Sequence, residues 1–175
     1  MVTEKPDNLE TFISKDPTKI PDILLNEHFN DRYFDVINAV EEARHIYFEG
    51  NHLLERLEKE IDTQKAFHIG ELGFGAGRTF AALLSYLNKS GLKNLDIGFH
   101  TVELYPLQIQ RIEKMLDPFR NSISEEIDVF LSLYKTLDLE SESCQIRTLS
   151  LPFGKLTFRI WFCEALRMMK EMDTA

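Results

Sequence analysis

The sequence predicts an α/β protein whose parallel sheet is flanked by helices. From residue 66 onward, a short apolar strand, a glycine-rich turn and an amphipathic helix follow one another, and a second strand and helix and then a third strand come after them. This alternation is typical of parallel sheets, because neighbouring parallel strands need a crossover connection, usually a right-handed helical one. With 175 residues, 43% of them hydrophobic, the chain is sized for one domain with its own core.

The first third of the chain is predicted to be a leader followed by a lid. Residues 1–25 carry three prolines and no apolar periodicity, which predicts a flexible leader. Residues 26–64 are predicted to form an N-terminal lid of one strand and one helix. The alternation in "ARHIYFEG" predicts a short strand ending at Gly50, and "HLLERLEKEI" predicts a helix with its leucines on one face.

The remaining elements follow from residue 65 to residue 175. "AFHIGEL" predicts the first strand of the sheet, and "RTFAALLSYLNKSG" predicts a helix whose left-handed cap is Gly91. "LDIGFHTVE" predicts the second strand. Pro106 suits the first turn of the next helix, "LQIQRIEKML", and a further helix is predicted across "SISEEIDVFLSLYKTL". "KLTFRIWF" alternates between apolar and polar residues, which predicts a third strand with one solvated face at the edge of the sheet.

Composition limits the classes of function. The 20 basic and 29 acidic residues give a net charge of −9, and acidic proteins bind nucleic acids poorly on average, although a local basic patch is compatible with this charge. The absence of a long apolar run and of a signal-like start predicts a cytoplasmic protein without membrane association. Cys144 and Cys163 have no cysteine or histidine at metal-ligand spacing, which favours reduced structural thiols and no metal site.

Three glycines between the first strand and its helix indicate a nucleotide site. Gly73, Gly75 and Gly77 occupy the crevice at the carboxyl end of a strand, where open α/β sheets bind nucleotides and where a helix N-terminus offers free N–H groups. Glu103 ends the second strand and is suited to accept both hydroxyls of a ribose. A tight turn beside a solvent-facing acid is the alternative, but the flanking strand and helix favour the nucleotide site. The dinucleotide fingerprint would need glycine or alanine where Arg78 stands.

Four segments resemble a known family. The pattern E-x-G-x-G-x-G, from Glu71 to Gly77, is similar to the cofactor loop of S-adenosyl-L-methionine-dependent methyltransferases. "GELGFGAGRTF", "FHTVELYPL", "FNDRYF…VEEARHIYFEGNHL" and "LTFRIWFCEAL" together resemble the methyltransferase domain of the bifunctional enzymes that mature 5-methylaminomethyl-2-thiouridine at the tRNA wobble position, and of their stand-alone relatives. The resemblance extends from about Phe29 to about Leu166. It implies a Rossmann-like class I methyltransferase fold, with residues 65–175 as the N-terminal half of that domain.

The resemblance also implies a reaction and a set of site residues. The reaction is methyl transfer from S-adenosyl-L-methionine to the primary amine of an aminomethyl group on the wobble uridine of tRNA. The implied cofactor-binding residues are Glu71 below the loop, Gly73, Phe74, Gly75 and Gly77 along the methionine part, Glu103 at the ribose, and Leu104 and Glu164 at the adenine. The residues implied over the cofactor or the substrate entrance are Tyr33, Glu42 and Asn51.

The sequence also departs from the family pattern. Arg78 and Thr79 stand where the family has Leu-Asn, and Cys163 and Glu164 stand where it has Gly-Asp. Family members continue into a fourth strand with an Asp-Gly-Phe motif whose aspartate receives or orients the amine; the sequence ends at "MMKEMDTA", and no catalytic residue is assigned. A cofactor-binding or interaction module without catalysis, and a methyltransferase acting on a small amine, are therefore alternatives.

The family's sheet predicts an open edge. Its first strand lies centrally, with the second and third strands on one side and the fourth on the other. A chain without the fourth strand leaves "AFHIGEL" uncovered, and an apolar strand edge invites pairing. Two outcomes are expected: the sequence is part of a longer product that incorporates a C-terminal segment, or it forms a homo-oligomer that covers the edge.

Overall fold

A computed structural model of the protein describes residues 21–34, 38–61 and 65–173. The first element of this described part is a small hairpin. A 3₁₀ turn, Asp22–Leu24, leads into strand β1 (Leu25–Asn26), which pairs antiparallel with β2 (Asp31–Arg32). Leu24 is buried in the main core and anchors this hairpin. Residues 1–20 of the predicted leader lie outside the described residues.

In the predicted lid, residues 39–49 are helical, so the predicted strand ending at Gly50 is wrong. The buried side chains here are Ala39, Ala43 and Phe48, and their spacings of four and five residues keep them on one face of a helix that widens into a π-helical turn. The N–H of Gly50 accordingly donates to the carbonyl of His45, five residues earlier, at 3.0 Å. The elements are α1 (Ala39–Ala43), the π-helical segment Arg44–Glu49, and α2 (Leu53–Ile61), which confirms the predicted helix.

A four-stranded mixed sheet forms the centre of the fold. Its strands lie in the order β3-β4-β6-β5; β4 runs parallel to β3 and to β6, whereas β5 runs antiparallel to β6. The α/β class with a mostly parallel sheet is thus confirmed, and the arrangement is compatible with a Rossmann-like fold. The strands are β3 (Phe67–Leu72), β4 (Leu95–Val102), β5 (Gln145–Leu151) and β6 (Gly154–Trp161).

Helices connect the parallel strands as the periodicity predicts. Gly91 follows the first of these helices with a φ of +78°, which confirms its role as a left-handed cap. The next helix begins later than expected: Gln108 is its N-cap, so Pro106 precedes the helix instead of lying in its first turn. The helices are α3 (Arg78–Lys89), α4 (Ile109–Leu116), α5 (Arg120–Tyr134) and α6 (Ala165–Asp173).

Strand β6 lies inside the sheet, so its prediction as an edge strand is wrong. β4 pairs with one side of β6, and β5 pairs with the other through a tight turn at Gly154. A Cβ on Gly154 would lie 2.2 Å from the carbonyl oxygen of Leu95 on β4, so glycine is required where β6 begins beside β4. Thr157 and Arg159 stay partly exposed because they lie on the less covered face of the sheet, and their polarity reflects that face.

The two faces of the sheet differ in packing. Phenylalanine rings from the loop, α3, β4, α5 and β6 fill the first face, with neighbouring centroids 5.0 to 6.4 Å apart. The second face carries a smaller cluster, in which Trp161 donates its indole N–H to Glu171 of α6 at 2.8 Å. The aromatic cluster consists of Phe74, Phe80, Phe99, Phe130 and Phe158.

Strand β3 forms one edge of the described sheet, as the family arrangement predicts. Its partner in the described sheet is β4, and its other side faces the cavity described below. Leu72, the last residue of β3, is 61% exposed. No helix within the described ranges is long and apolar enough to cross a membrane.

Candidate functional site

The glycine loop turns the chain from β3 into α3. The N–H groups of Gly73 and Phe74 both donate to the carbonyl of Val102 on β4, at 3.1 and 3.0 Å, and this fixes the loop to the neighbouring strand. The three glycines have φ values of +82°, +56° and +70°, a region that other residues enter only at a cost. A Cβ on Gly73 would meet no atom within 4 Å, so the backbone there is open to a ligand.

Glu103 lies directly beside this loop. One carboxylate oxygen accepts the N–H of Gly75 at 2.7 Å, and the other accepts the N–H of Tyr105 at 2.9 Å. Its own N–H donates to the carbonyl of Trp161 at 3.0 Å, which holds the end of β4 against β6. The side chain is 8% exposed. The structure therefore brings together the glycine loop and the acid, which are 28 residues apart in sequence.

Glu71 is a second carboxyl near the loop, with a different environment. Although part of the residue is accessible from the cavity, protein atoms surround its carboxyl, and Thr101 donates a hydrogen bond to it at 3.3 Å. Loss of hydration raises the pKa of Glu71 from 4.5 to about 7, against the lowering effects of hydrogen bonds from Thr79 and Thr101 and of the charge on Arg78. Glu71 is thus a carboxyl that titrates near neutral pH.

A cavity of about 1100 Å³ extends from the loop along the open edge of β3. Ligand cavities commonly measure about 300 to 1,000 Å³, so this one has room for a nucleoside-sized cofactor and part of a substrate. Most predicted site residues line it, whereas Gly77 and Glu42 do not. The predicted residues in its wall are Tyr33, Asn51, Glu71, Gly73, Phe74, Gly75, Glu103, Leu104 and Glu164.

Gly77 and Glu42 have packing and tethering contacts instead. A Cβ on Gly77 would lie 2.3 Å from the ring of Phe130, so this glycine allows the close approach of α3 and α5. Glu42 pairs with Arg78, whose Nη1 lies 3.0 Å from its carboxylate and donates to the carbonyl of Ala39 at 3.1 Å. Sequence reasoning treated Arg78 only as a departure from a fingerprint; its contacts tie the lid to the start of α3.

Arg111 of α4 fastens the N-terminal hairpin to the rim of the cavity. Its Nη2 donates to the carbonyl of Leu25 at 2.6 Å and lies 3.4 Å from those of Asp22 and Ile23. Its guanidinium also lies 5.6 Å from the ring centre of Tyr33. Burial, followed by the charge of Glu103, raises the pKa of the Tyr33 hydroxyl. Sequence reasoning missed Arg111, since a lone arginine on a helix gives no signal of its distant partners.

Exposed apolar side chains form much of the cavity wall. Leu104 and Leu166 are 42% and 69% exposed, and both lie near the carboxyl ends of the central strands. Cavities that are mostly apolar with a few fixed polar groups are typical of small-molecule sites. Among the described residues there is no group of three or more histidines, cysteines, aspartates or glutamates that could hold a metal ion.

The similar proteins that we report from comparison with known proteins all carry the same name. No family model matches the chain. The tRNA 5-methylaminomethyl-2-thiouridine biosynthesis bifunctional protein MnmC of Leptospira borgpetersenii serovar Hardjo-bovis is 36% identical over 114 residues, which are 65% of this chain and 17% of that protein. The proteins of the same name from Vibrio campbellii and Pseudomonas syringae pv. syringae are 37% identical over 97 residues and 25% identical over 151 residues.

Each match covers a larger share of this chain than of the related protein. The alignments include 51% of this chain for the Vibrio protein and 83% for the Pseudomonas protein, but only 14% and 21% of those proteins. The chain thus spans about a sixth of the length of the curated relatives it matches. Over the aligned part, the chain is a homologue of the tRNA 5-methylaminomethyl-2-thiouridine biosynthesis bifunctional proteins.

Proposed function

We propose that this chain is a methyltransferase-type domain that binds S-adenosyl-L-methionine and takes part in methylating the aminomethyl group of the tRNA wobble uridine. The observation that carries the proposal is the hydrogen bond from the Gly75 N–H to Glu103 at 2.7 Å. It fixes a carboxylate and a bare backbone side by side at the carboxyl ends of parallel strands, where nucleotides bind in open α/β sheets. The names of the relatives support a role in the biosynthesis of 5-methylaminomethyl-2-thiouridine in tRNA.

The residues present fit this cofactor. The space beside Gly73 holds no protein atom within 4 Å of an added Cβ, and the methionine part would lie there. Glu103 keeps unused lone pairs on both oxygens, which suit the two ribose hydroxyls. Leu104 is exposed to the cavity and would contact the adenine, with Glu164 near its amine. Glu71 would lie beneath the loop, near the cofactor's amino group.

The chemistry divides between the cofactor and the chain. S-Adenosyl-L-methionine supplies a methyl group on a positively charged sulfur. The chain binds and orients: the loop and Glu103 fix the nucleoside, while the lid residues Tyr33 and Asn51 border the opening through which an aminomethyl group would enter. An unprotonated amine attacks the methyl group directly once the two are in line. Holding the amine in that alignment is therefore the larger part of such catalysis.

A second candidate is a cofactor-binding or interaction module without catalysis. The observation that favours it is the open edge of β3, which borders the cavity along its whole length from Phe67 to Leu72. A further strand, from a longer product or from a second copy, would complete this wall. Binding and turnover separate the two candidates, since a module binds the cofactor without transferring its methyl group to tRNA.

Paired glycine substitutions test the cofactor site. Gly73 and Gly91 both have positive φ and both have open space where a Cβ would point, so Gly73→Ala and Gly91→Ala introduce similar backbone strain, about 1 to 2 kcal/mol. Of these two glycines, Gly73 lines the cavity and Gly91 does not. Calorimetry with S-adenosylhomocysteine should therefore show at least tenfold weaker binding for Gly73→Ala and unchanged binding for Gly91→Ala.

Two results would contradict the proposal. Equal affinities of the two variants would mean that the loop does not touch the ligand. No heat of binding to the unsubstituted protein at millimolar ligand would remove the cofactor site altogether. Methyl transfer to tRNA carrying 5-aminomethyl-2-thiouridine, followed by mass spectrometry of the nucleosides, then distinguishes the enzyme from the module.

A further inference from the structure

An aromatic group lies at the rim of the cavity. The loop between β1 and β2 carries His28, whose ring stacks on Tyr105 with centroids 3.7 Å apart and planes 7° apart. The next residue, Phe29, meets the same tyrosine edge-on at 5.9 Å. Phe29 lines the cavity, yet 65% of it is exposed. The hairpin thus presents a large apolar ring to the solvent at the opening of the site.

This aromatic group is fixed in place before any ligand arrives. Arg111 holds the carbonyls of the hairpin, and the N–H of Tyr105 donates to Glu103. Within the loop, the N–H of His28 donates to the side chain of Asn26 at 3.1 Å, and Asn30 adopts a φ of +50°. A ring held on such a support loses little conformational freedom when it binds, and preorganisation of this kind strengthens binding.

The ring and the charge of the chain together favour one class of occupant. The exposed part of the Phe29 ring loses the free energy of burial, which a stacking partner would recover. The net charge of −9 gives the protein little general attraction for phosphates, so contacts that do not depend on charge are favoured for RNA recognition. Stacking of unpaired bases on aromatic side chains is such a contact.

We propose that Phe29, supported by the His28–Tyr105 pair, stacks on an unpaired base that neighbours the target nucleotide of the RNA substrate. The inference rests on the proposed function, because the cavity beside Phe29 would receive the target nucleotide itself. Glu103 contacts both the glycine loop and Tyr105, so the stacking site is continuous with the cofactor site.

Fluorescence of a labelled RNA tests this inference. The probes are two 17-nucleotide anticodon stem-loops, with 2-aminopurine on either the 5′ or the 3′ side of the wobble uridine. Stacking on Phe29 should quench one of them. Phe29→Ala should weaken its binding about tenfold and abolish the quenching, whereas Phe29→Trp should retain both. Ile146→Ala, which truncates an exposed apolar side chain on β5 outside the cavity wall, serves as the matched control and should change the affinity less than twofold.

Two further measurements complete the test. The salt dependence of RNA binding distinguishes stacking from phosphate contacts, and binding of S-adenosylhomocysteine distinguishes the stacking site from the cofactor site. Stacking predicts that affinity falls less than about tenfold between 50 and 200 mM KCl, as expected for one or two phosphate contacts. Binding of S-adenosylhomocysteine should be equal in Phe29→Ala and in the unsubstituted protein. Unchanged RNA affinity in Phe29→Ala, or no quenching of either probe, overturns the stacking site while leaving the cofactor site intact. Absence of S-adenosylhomocysteine binding in the unsubstituted protein overturns the proposed function independently.

Discussion

Glu71 has a carboxyl whose ionisation opposes folding. Its pKa is raised from 4.5 to about 7, so the folded state holds the proton more tightly than the unfolded state. The contribution of Glu71 to stability is therefore fully present below pH 4.5 and is lost as the pH rises through about 7. We expect Glu71→Gln to stabilise the protein above pH 7 by about 1 to 2 kcal/mol, less than the full linkage of ~3 kcal/mol because the buried glutamine amide also loses hydration. Chemical denaturation at pH 5, 6, 7 and 8 measures the difference.

The control for this titration is Glu164→Gln, which neutralises an exposed carboxyl elsewhere in the cavity wall. It should leave the pH dependence of the unsubstituted protein in place. If Glu71→Gln and the unsubstituted protein show parallel stability curves from pH 5 to 8, the carboxyl ionises as it does in water and our account of its burial is wrong.

The three loop glycines show what the sequence reveals at this scale and what it does not. Their spacing predicts a turn between strand and helix, and all three glycines have positive φ in that turn. Their separate roles depend on distant residues: Gly73 borders open space, a Cβ on Gly75 would approach Tyr33 at 3.2 Å, and one on Gly77 would collide with Phe130. No local pattern contains Phe130, so the sequence assigned all three glycines to a ligand.

Arg78 joins two elements, the lid and α3. Its side chain is 11% exposed and bonds both Glu42 and the carbonyl of Ala39. We expect Arg78→Met to cost about 1.5 to 3 kcal/mol, because it removes charge-assisted hydrogen bonds and leaves a backbone acceptor without that partner. Hydrogen exchange should accelerate across residues 39–49 and stay unchanged in α5.

Arg44→Met provides the comparison for that substitution. Arg44 pairs with Glu41 and Glu49 on the surface of the same lid, and exposed ion pairs contribute about 0 to 1 kcal/mol. Similar losses of stability in the two variants would show that Arg78 acts as an ordinary surface arginine and does not fasten the lid.

Elements with strong periodicity are those that the sequence predicts well. The helices α2, α3 and α5 and the strands β3, β4 and β6 follow from apolar spacing alone. β5 was not predicted. Only alternate residues of "QIRTLSL" contact the core, and the apolar Ile146 is 51% exposed, so the apolar residues of this segment do not mark one buried face. The π-helical segment was predicted as a strand because a run that contains Tyr47 and Phe48 fits either period over so few residues.

At the scale of the whole molecule, the open edge of β3 predicts self-association. Within the described sheet, β3 pairs on its β4 side alone and Leu72 is exposed, and such edges pair with other chains. Sedimentation velocity between about 5 and 200 μM should show a concentration-dependent dimer. Leu72→Lys adds a charge at an exposed position of this edge and should shift the protein to monomer without unfolding it.

The opposite edge of the sheet provides the control. Ile146 is exposed on β5, so Ile146→Lys adds the same charge to the other outer strand, and it should leave the dimer intact. A protein that remains monomeric over the whole concentration range excludes the second copy as the cover for β3. Loss of the dimer in Ile146→Lys alone would place the contact on β5 instead.

The hydrogen bonds from Arg111 to the N-terminal hairpin determine which residues of this region can vary in sequence. A guanidinium that contacts carbonyl oxygens is indifferent to the side chains of Asp22, Ile23 and Leu25, since every amino acid offers the same acceptor. Saturation mutagenesis should therefore find the exposed Asp22 permissive and the arginine intolerant even of lysine, whose ammonium lacks the planar guanidinium that lies over the ring of Tyr33. The contact of Arg111 with the backbone thus lets Asp22 vary in sequence, whereas the buried Leu24 must stay apolar.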